Sequence, residues 1–230
     1  MKRILVIDVG GSHVKLKLSG NDEKRQFDSG RKMTPEKMVA GIRRLTSDWK
    51  YDVISIGLPM PIVHGKPATE PNNLGKGWRR FDFQKALGKP VKLINDAAMQ
   101  ALGSYKGGRM LFLGLGTGLG STLILDGMVI PLELGQLRLN ETEILEDRLG
   151  KAGAKRLGKE KWEKAVHAAV AMLKASFVAD YVVIGGGEVK ELKNLPPDAR
   201  RGSNKNAFPG GEALWKNPEF KRKEHTLVFA

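Results

Sequence analysis

A strand, a glycine-rich turn and a second strand occur twice in this chain of 230 residues, and this repetition limits the possible folds more than any other feature. The first copy spans residues 4–18 around the turn Gly10-Gly11-Ser12, and the second spans 109–125 around Gly116-Thr117-Gly118. In each copy a near-continuous apolar run precedes the turn, as in a buried strand. A chain of this length can bury two cores, so the repetition predicts two similar, sheet-based halves.

Helix and strand patterns alternate between and after the two copies, which predicts an α/β protein. The further predicted strands are 25–29, 51–58, 91–94 and 180–184. The predicted helices are 35–47, 81–87, 97–105, 141–157, 160–177 and 211–215. A long segment rich in Pro, Gly and Asn, 59–80, separates two of these elements. Long loops inside compact domains are usually functional, so this segment is a candidate substrate loop.

The charge balance points to an anionic partner. Lys and Arg number 39 against 25 Asp and Glu, which gives a formal net charge of +14. A charge of this size attracts polyanions over distances near the Debye length. The sequence has no zinc-finger spacing and no aromatic-rich basic stretch, so phosphate chains and nucleotides are favoured over nucleic acid.

The remaining bulk features argue against membrane insertion and secretion. No apolar stretch approaches the roughly 20 residues that span a bilayer. The basic N-terminus meets Asp8 too early for the apolar core of a signal peptide. The chain has no cysteine, which excludes disulfides and thiolate metal sites and fits a reducing compartment. We therefore expect a cytoplasmic protein.

Both glycine turns have features of phosphate-binding loops. Asp8 precedes the first turn, whose bare backbone can approach an anion and whose Ser12 hydroxyl can bond it. An ordinary hairpin turn would explain these glycines when the turn is considered alone. The second turn carries glycine at every other position from Gly114 to Gly120, which costs conformational entropy unless something approaches the backbone closely. Two such turns in one chain predict a pair of loops that face one phosphate.

Two further motifs lie where predicted strands end. Asn95-Asp96-Ala97 follows a strand at the edge where open α/β sheets bind ligands, and a carboxylate there can accept a hydroxyl proton during phosphoryl transfer. Taken alone, Asp96 would be an ordinary helix N-cap. Gly185-Gly186-Gly187 follows another buried strand and suits close approach of an adenine ring or a phosphate, with a loose turn as the alternative.

Five motifs in this order resemble those of the ROK-type sugar kinases, and of the polyphosphate glucokinases in particular. They are Ile7-Asp8-Val9-Gly10-Gly11-Ser12 with Lys15, Asn95-Asp96-Ala97, Gly116 to Ser121, Glu133-Leu134-Gly135, and Val183 to Gly187. The resemblance covers about residues 2 to 215. It implies an actin-like ATPase (ribonuclease-H-like) fold with two lobes around a central cleft. We expect an N-terminal lobe at 1–107 and a C-terminal lobe at 108–230.

The resemblance also implies transfer of a phosphoryl group from polyphosphate, ATP or both to the 6-hydroxyl of glucose. Asp96 would be the catalytic base, and Asp8 would help to place Mg²⁺. The expected phosphate ligands are Gly10, Gly11, Ser12, Lys15, Gly116, Thr117 and Gly118, although Lys15 also fits a solvated strand position. The expected sugar ligands are Asn73, Asn95, Asp96, Glu133 and Gln136. The expected nucleotide-binding turn is Gly185, Gly186 and Gly187.

The sequence departs from the family pattern in two places. Gln136 follows Gly135 where the family usually has histidine, so an amide must make that sugar contact, and the identity of the hexose is left open. The cysteines that hold a structural zinc in most bacterial relatives are missing, which predicts a protein without zinc. The basic tail 216–230 matches no motif and is expected to be a solvated tail.

Three alternatives share part of this pattern. An ATP-dependent kinase for another hexose or an amino sugar would carry every motif above. A sugar-sensing repressor of the same family would place a DNA-binding helix-turn-helix before the first phosphate loop, whereas here Asp8 already lies in the first strand. A non-catalytic sugar-binding protein would not need Asp96. The family often forms homodimers, so a homodimer is one expected assembly.

Overall fold

The computed structural model describes residues 2–216, so the predicted tail lies outside the described residues except for Lys216. The strands are β1 (Ile4–Val9), β2 (His13–Leu18), β3 (Lys24–Asp28), β4 (Val53–Leu58), β5 (Ile62–Val63), β6 (Lys66–Pro67), β7 (Val91–Asn95), β8 (Arg109–Leu115), β9 (Leu119–Leu125), β10 (Met128–Leu132), β11 (Tyr181–Gly185) and β12 (Ala199–Arg201). The helices are α1 (Pro35–Leu45), α2 (Phe83–Leu87), α3 (Asp96–Ser104), α4 (Leu145–Leu149), α5 (Lys151–Leu157), α6 (Lys159–Ser176) and α7 (Ala207–Lys216).

Two five-stranded sheets share one topology. The first has the order β3-β2-β1-β4-β7 and the second the order β10-β9-β8-β11-β12. In both, the first three strands in sequence are antiparallel neighbours and the other two add in parallel. The predicted duplication is therefore confirmed, and each glycine turn joins corresponding strands, β1 to β2 and β8 to β9.

Helices α3 and α7 lie between the two sheets and contribute to a common core. This core joins Ile4 and Val6 of the first sheet to Met110 and Phe112 of the second. Two other cores cover the outer faces, one between the first sheet and α1 and one between the second sheet and α6. Helix α7 also packs on β1 and β4, although it follows the second sheet in sequence. The boundary predicted at residue 107 stays a prediction.

Glycines allow α3 and α7 to cross in backbone contact. A Cβ atom on Gly103 of α3 would lie 1.9 Å from the backbone oxygen of Asn206, and one on Gly210 of α7 would lie 1.8 Å from that of Met99. The far end of α7 is fixed by Trp215, whose indole donates to Ser55 Oγ over 3.0 Å. The two sheets are thus joined through a tight helix pair.

The main error of the sequence interpretation concerns the helix predicted at 141–157. Residues 137–145 instead form a short hairpin, and the helical part is divided into α4 and α5 at Gly150. Asn140 explains the first difference, because its side chain accepts hydrogen bonds from the following backbone and stabilises a turn. The two-stranded pair β5–β6 inside the loop 59–80 and the edge strands β10 and β12 were also missed.

Within residues 2–216, none of the helices has both the length and the apolar character needed to cross a membrane.

A buried hydroxyl in the second sheet offers a test of the packing. Among the described residues, Thr122 Oγ1 is the buried side-chain polar atom without a hydrogen-bond partner. Replacing Thr122 with Val removes the cost of burying that hydroxyl, so we expect the free energy of unfolding to rise by about 1 kcal/mol. Urea unfolding would measure it.

The neighbouring hydroxyl provides the control. Ser121 Oγ donates to Leu132 O over 2.8 Å and accepts from Leu134 N over 3.0 Å, so Ser121→Ala should destabilise the fold. A Thr122→Val variant no more stable than the wild type would mean that a buried water or another group satisfies Thr122.

Candidate active site

The strand order brings Asp8 and Asp96 to one edge of the first sheet. Strands β1 and β7 both lie parallel to β4, one on each side of it, so their carboxyl ends meet at the same edge. Asp8 is near the end of β1, and Asp96 is the first residue of α3, directly after β7. The sequence prediction that placed both acids at strand ends is therefore matched by the topology.

Asn95, rather than Asp96, is the N-cap of α3. Its Oδ1 accepts from the backbone of Ala98 over 3.1 Å, and its Nδ2 donates to Met60 O over 3.4 Å. Asp96 accepts from the adjacent Ala97 N over 2.8 Å. Asn95 therefore caps the helix, and Asp96 is not needed for that role. One amide hydrogen and one oxygen lone pair of Asn95 remain for a ligand.

The environment of Asp96 makes its ionisation difficult. Burial raises the pKa of Asp96 to about 7, and the negative charges of Asp8 and Glu133 add to the rise, against the stabilising backbone N–H of Ala97. Burial also raises the pKa of Asp8 to about 6, opposed by the positive charge of Lys15. Lys15 faces Asp8 because the two are paired in register across β1 and β2. Raised carboxyl pKa values in a cleft are typical of functional sites.

The first glycine turn lies against the predicted substrate loop. A Cβ atom on Gly11 would be 3.6 Å from Asn73 Cβ, so the turn and the loop are in direct contact. Glu70 holds this part of the loop, because its carboxylate accepts from the backbone N–H groups of Gly77, Trp78 and Arg79 over 3.0 to 3.3 Å. The structure thereby places Asn73 beside a predicted phosphate turn.

Glu146 contacts the second glycine turn and stabilises it. The sequence analysis did not single out this residue. Glu146 Oε2 accepts from Leu119 N over 3.0 Å, and a Cβ atom on Gly118 would lie only 2.3 Å from that oxygen. Partial burial raises the pKa of Glu133, and the negative charge of Glu146 adds to the rise. In sequence, Glu146 fell inside the predicted helix 141–157, where a glutamate is expected on a solvated face, so no pattern singled it out.

Close packing brings the second turn to Asp96. A Cβ atom on Gly120, just after the turn, would be 2.7 Å from the Cβ of Ala97 at the start of α3. The third glycine motif is adjacent, since β11 pairs with β8 and Gly185 lies opposite Gly114. Gly186 has φ 86°, and a Cβ there would be 2.1 Å from Leu115 O, so this position requires glycine.

Contacts and charge effects therefore link several of the predicted residues across both halves of the chain: Gly11 with Asn73, Gly120 with Ala97, and Asp96 with Asp8 and Glu133. Glu133 precedes a single turn of 3-10 helix at 134–136, which ends at the exposed Gln136. Four carboxylates influence one another or adjoin the turns: Asp8, Asp96, Glu133 and Glu146. Such a group in a protein of net charge +14 suits a ligand rich in hydroxyls, a cation, or both.

Comparison with known proteins places the chain among related sequences. It is 25% identical over 212 residues to a polyphosphate glucokinase of Mycobacterium tuberculosis, covering 83% of this chain and 80% of that protein. The crystal structure of an inorganic polyphosphate/ATP-glucomannokinase from Arthrobacter sp. strain KM superposes with a TM-score of 0.78 at 22% identity, covering 92% and 97% of the two chains.

The same fold also serves a protein of another class. A ROK family transcriptional regulator, a homologue of the E. coli Mlc protein, superposes with a TM-score of 0.72 at 17% identity, covering 92% of this chain and 77% of that one. These likenesses confirm the predicted actin-like ATPase fold. The sequence model of the ROK family matches residues 4–135, more than half of the chain. The protein belongs to the ROK family.

Proposed function

We propose that this protein is a hexose kinase that transfers a phosphoryl group from inorganic polyphosphate, ATP or both to the 6-hydroxyl of glucose or a related hexose. The observation that carries the proposal is the position of Asp96, a carboxylate with a raised pKa between two glycine turns at a sheet edge. The relatives support a phosphotransferase, since the chain is similar to a polyphosphate glucokinase.

Asp96 would act as the general base. A base works best when its pKa lies near the working pH, and burial brings the pKa of Asp96 to about 7. In phosphoryl transfer the protein need not form a covalent bond to the substrate. Its main tasks are to align the sugar hydroxyl with the donor and to accept the proton of that hydroxyl. The bond from the hydroxyl oxygen to phosphorus forms as the donor's bridging P–O bond breaks, and the proton passes to Asp96.

Short polar side chains would hold the sugar. We assign Asn73, Asn95, Glu133 and Gln136 to this role beside Asp96, and we add Glu146 because one of its oxygens is left after the contact with Leu119 N. Sites that bond each hydroxyl reject analogues that lack one, which would give selectivity among hexoses.

The donor would lie on the two glycine turns. Gly11 and Ser12 with Lys15 on one side, and Thr117 and Gly118 on the other, offer backbone N–H groups and one cation to phosphate oxygens. The N–H groups of Gly10 and Gly116 close their own turns, donating to His13 O and Gly118 O, so these two glycines would serve by letting the donor approach the backbone closely. The turn at Gly185 to Gly187 would receive the nucleotide when ATP is the donor.

Asp8 fits a magnesium ligand. The residue is 5% exposed, and a cation would offset the burial that raises its pKa. Within residues 2–216 no three acidic, histidine or cysteine side chains form a complete metal site. Mg²⁺ bound with a substrate needs only one or two protein carboxylates besides the phosphates, so Asp8 suffices. When bound, the ion would neutralise charge on the donor phosphates. That the protein lacks zinc stays a prediction.

A coupled assay of glucose 6-phosphate formation, with ATP and polyphosphate as donors and with mannose and amino sugars as competing acceptors, tests the proposal. Product formed with ATP alone, and from an amino sugar in preference to glucose, would favour the alternative kinase. Sugar binding without product from any donor would favour a non-catalytic protein of the family. A cytoplasmic location and a homodimer stay predictions.

Exposed basic residues bear on the choice of donor. Nine of them lie on α5, on α6 and at 200–205: Lys151, Lys155, Arg156, Lys159, Lys161, Lys164, Arg200, Arg201 and Lys205. Five of them already interact within the protein: Arg156, Lys159, Lys164, Arg200 and Arg201. Lys151 begins α5, and its backbone N–H donates to Gly116 O over 2.9 Å, so Lys151 and Lys155, one helical turn later, are the cations best placed for a phosphate chain.

We predict that polyphosphate supports phosphorylation at least as well as ATP, and that its KM rises more steeply with salt. A polyanion that lies across several lysines releases counterions on binding, so its affinity falls with salt between about 50 and 200 mM more than that of ATP. Lys155→Gln should weaken polyphosphate more than ATP. Lys85→Gln, which removes the same charge from α2, is the control. Absence of product from polyphosphate, or equal salt dependence for both donors, would contradict the prediction.

A further inference from the structure

Residues 137–145 form a hairpin that joins Gln136 to Glu146, two of the proposed sugar ligands. Backbone hydrogen bonds of 2.8 and 2.9 Å close this hairpin, from residue 145 to residue 137 and from residue 139 to residue 143. At its tip, Asn140 Oδ1 accepts from the backbone N–H groups of the second and third residues after it, over 2.9 Å each. These bonds fix the shape of the hairpin, and a separate contact must fix where it lies.

Glu143 makes that contact. Its Oε2 accepts from Arg148 of α4, and its Oε1 accepts from Arg156 of α5 over 2.6 Å. The Glu143 side chain is only 13% exposed, although the two arginines are 40% and 55% exposed. Both guanidinium groups hold the pKa of Glu143 below its ordinary value. The carboxylate is therefore ionised at neutral pH and held from two helices.

The two helices meet at a corner that carries the second glycine turn. The backbone N–H of Lys151 at the start of α5 donates to Gly116 O over 2.9 Å. Gly150, between α4 and α5, packs so closely that a Cβ atom there would lie 3.0 Å from Thr117 O. Arg156 also donates to the backbone oxygen of Asp147 on α4, over 3.1 Å, which braces the corner itself. The hairpin is thus connected through Glu143 to the element that supports the turn.

We propose that Glu143 is a positioning residue that fixes the sugar-binding segment 136–146 relative to the phosphate turn 116–118. The inference rests on the proposed kinase function, and it assigns a residue that acts through Gln136 rather than on the substrate. Charge-assisted hydrogen bonds to both carboxylate oxygens hold direction as well as distance, which suits this role. Displacement of the hairpin would misplace Gln136, which directly precedes it, while Glu146 on α4 and the rest of the corner would keep their own contacts to the turn.

A residue that only stabilised the α4–α5 corner would give a different result. Its loss would lower the unfolding midpoint without changing the KM for the sugar at temperatures where the protein stays folded. The separation of KM from stability therefore decides between the two roles.

The experiment compares Glu143→Gln with Glu141→Gln, the same change on an exposed residue of the same hairpin. We expect Glu143→Gln to lower kcat/KM for the hexose about tenfold, mostly through KM, with the donor KM within about twofold of the wild type. Glu141→Gln should change neither kcat/KM for the hexose nor the donor KM by more than about twofold. Glu143→Asp, which keeps the charge, should recover part of the loss. An active Glu143→Gln enzyme with an unchanged hexose KM would overturn the proposal.

Amide hydrogen exchange gives a readout that does not depend on catalysis. In the ligand-free protein, Glu143→Gln should speed exchange in residues 137–146 and leave residues 4–18 unchanged. If the wild type phosphorylates no sugar, the kinase proposal fails, whereas faster exchange in the hairpin would still support anchoring by Glu143. Unchanged exchange there would refute the anchoring, whatever the activity.

Discussion

Asp96→Asn should lower turnover by about 10²–10⁴-fold and leave hexose binding within about threefold of the wild type. Asn keeps the size of the side chain and can still bond a sugar hydroxyl, but it cannot accept the proton. The change also leaves the capping of α3 in place, because Asn95 makes that hydrogen bond. Steady-state kinetics with a direct binding measurement would separate the two effects. A variant that retains more than about a tenth of the activity would refute the assigned base.

The pH dependence should report the same carboxylate. With the pKa of Asp96 raised to about 7, kcat/KM of the wild type should fall as the pH drops through that value, because the protonated side chain cannot act as a base. The residual kcat/KM of Asp96→Asn should not show this fall at low pH.

We expect Asp96→Asn to be more stable than the wild type although it is less active. The folded-state pKa of Asp96 lies above the ordinary value, so the charged form disfavours folding at high pH, and this cost disappears as the group is protonated in both states. Asp96→Asn should therefore raise the free energy of unfolding by about 2 kcal/mol near pH 8, and the gain should vanish below the ordinary pKa of Asp.

Gly210→Ala should destabilise the protein by about 3 kcal/mol or more. In an unconstrained helix, Gly→Ala raises the free energy of unfolding by up to about 1 kcal/mol. At Gly210 we expect that free energy to fall instead. The reason is the 1.8 Å that would separate the new Cβ from Met99 O in α3, a backbone atom that cannot move independently. Helix α7 cannot easily shift away, since Ser55 Oγ donates to Gly211 O over 2.6 Å and accepts from Trp215.

Gly116→Ala provides the matched comparison for Gly210→Ala. No atom lies within 4 Å of a Cβ at Gly116, so the same change there should leave the unfolding free energy nearly unaltered while it tests the phosphate turn. Urea unfolding of both variants measures the difference. A Gly210→Ala protein as stable as the wild type would mean that the helix pair separates at little cost.

Much of the candidate site could be predicted from the sequence because its residues lie at strand ends. Asp8, Asp96 and the glycine turns follow apolar runs whose periodicity is visible in the sequence, and parallel strands bring such ends together. Glu146 was not predictable in this way, since its role arises from contact with Leu119 N, 27 residues away. The helix boundaries near Gly150 were missed because the residues on either side are good helix formers. Edge strand β12 has only three residues, too few for a periodic signal.

The packing of α7 against the first sheet has a consequence for synthesis of the chain. Ile4 and Val6 reach their final burial only when residues 207–216 are present, because that helix belongs to the core that contains them. At ~5–20 residues per second, the ribosome delivers α7 on the order of ten seconds after the first sheet is complete. During this interval one apolar face of that sheet lacks the part of its cover that α7 supplies, with α3 alone packed on it. Nascent chains halted before residue 207 should therefore bind chaperones or aggregate, and full-length chains should escape on release.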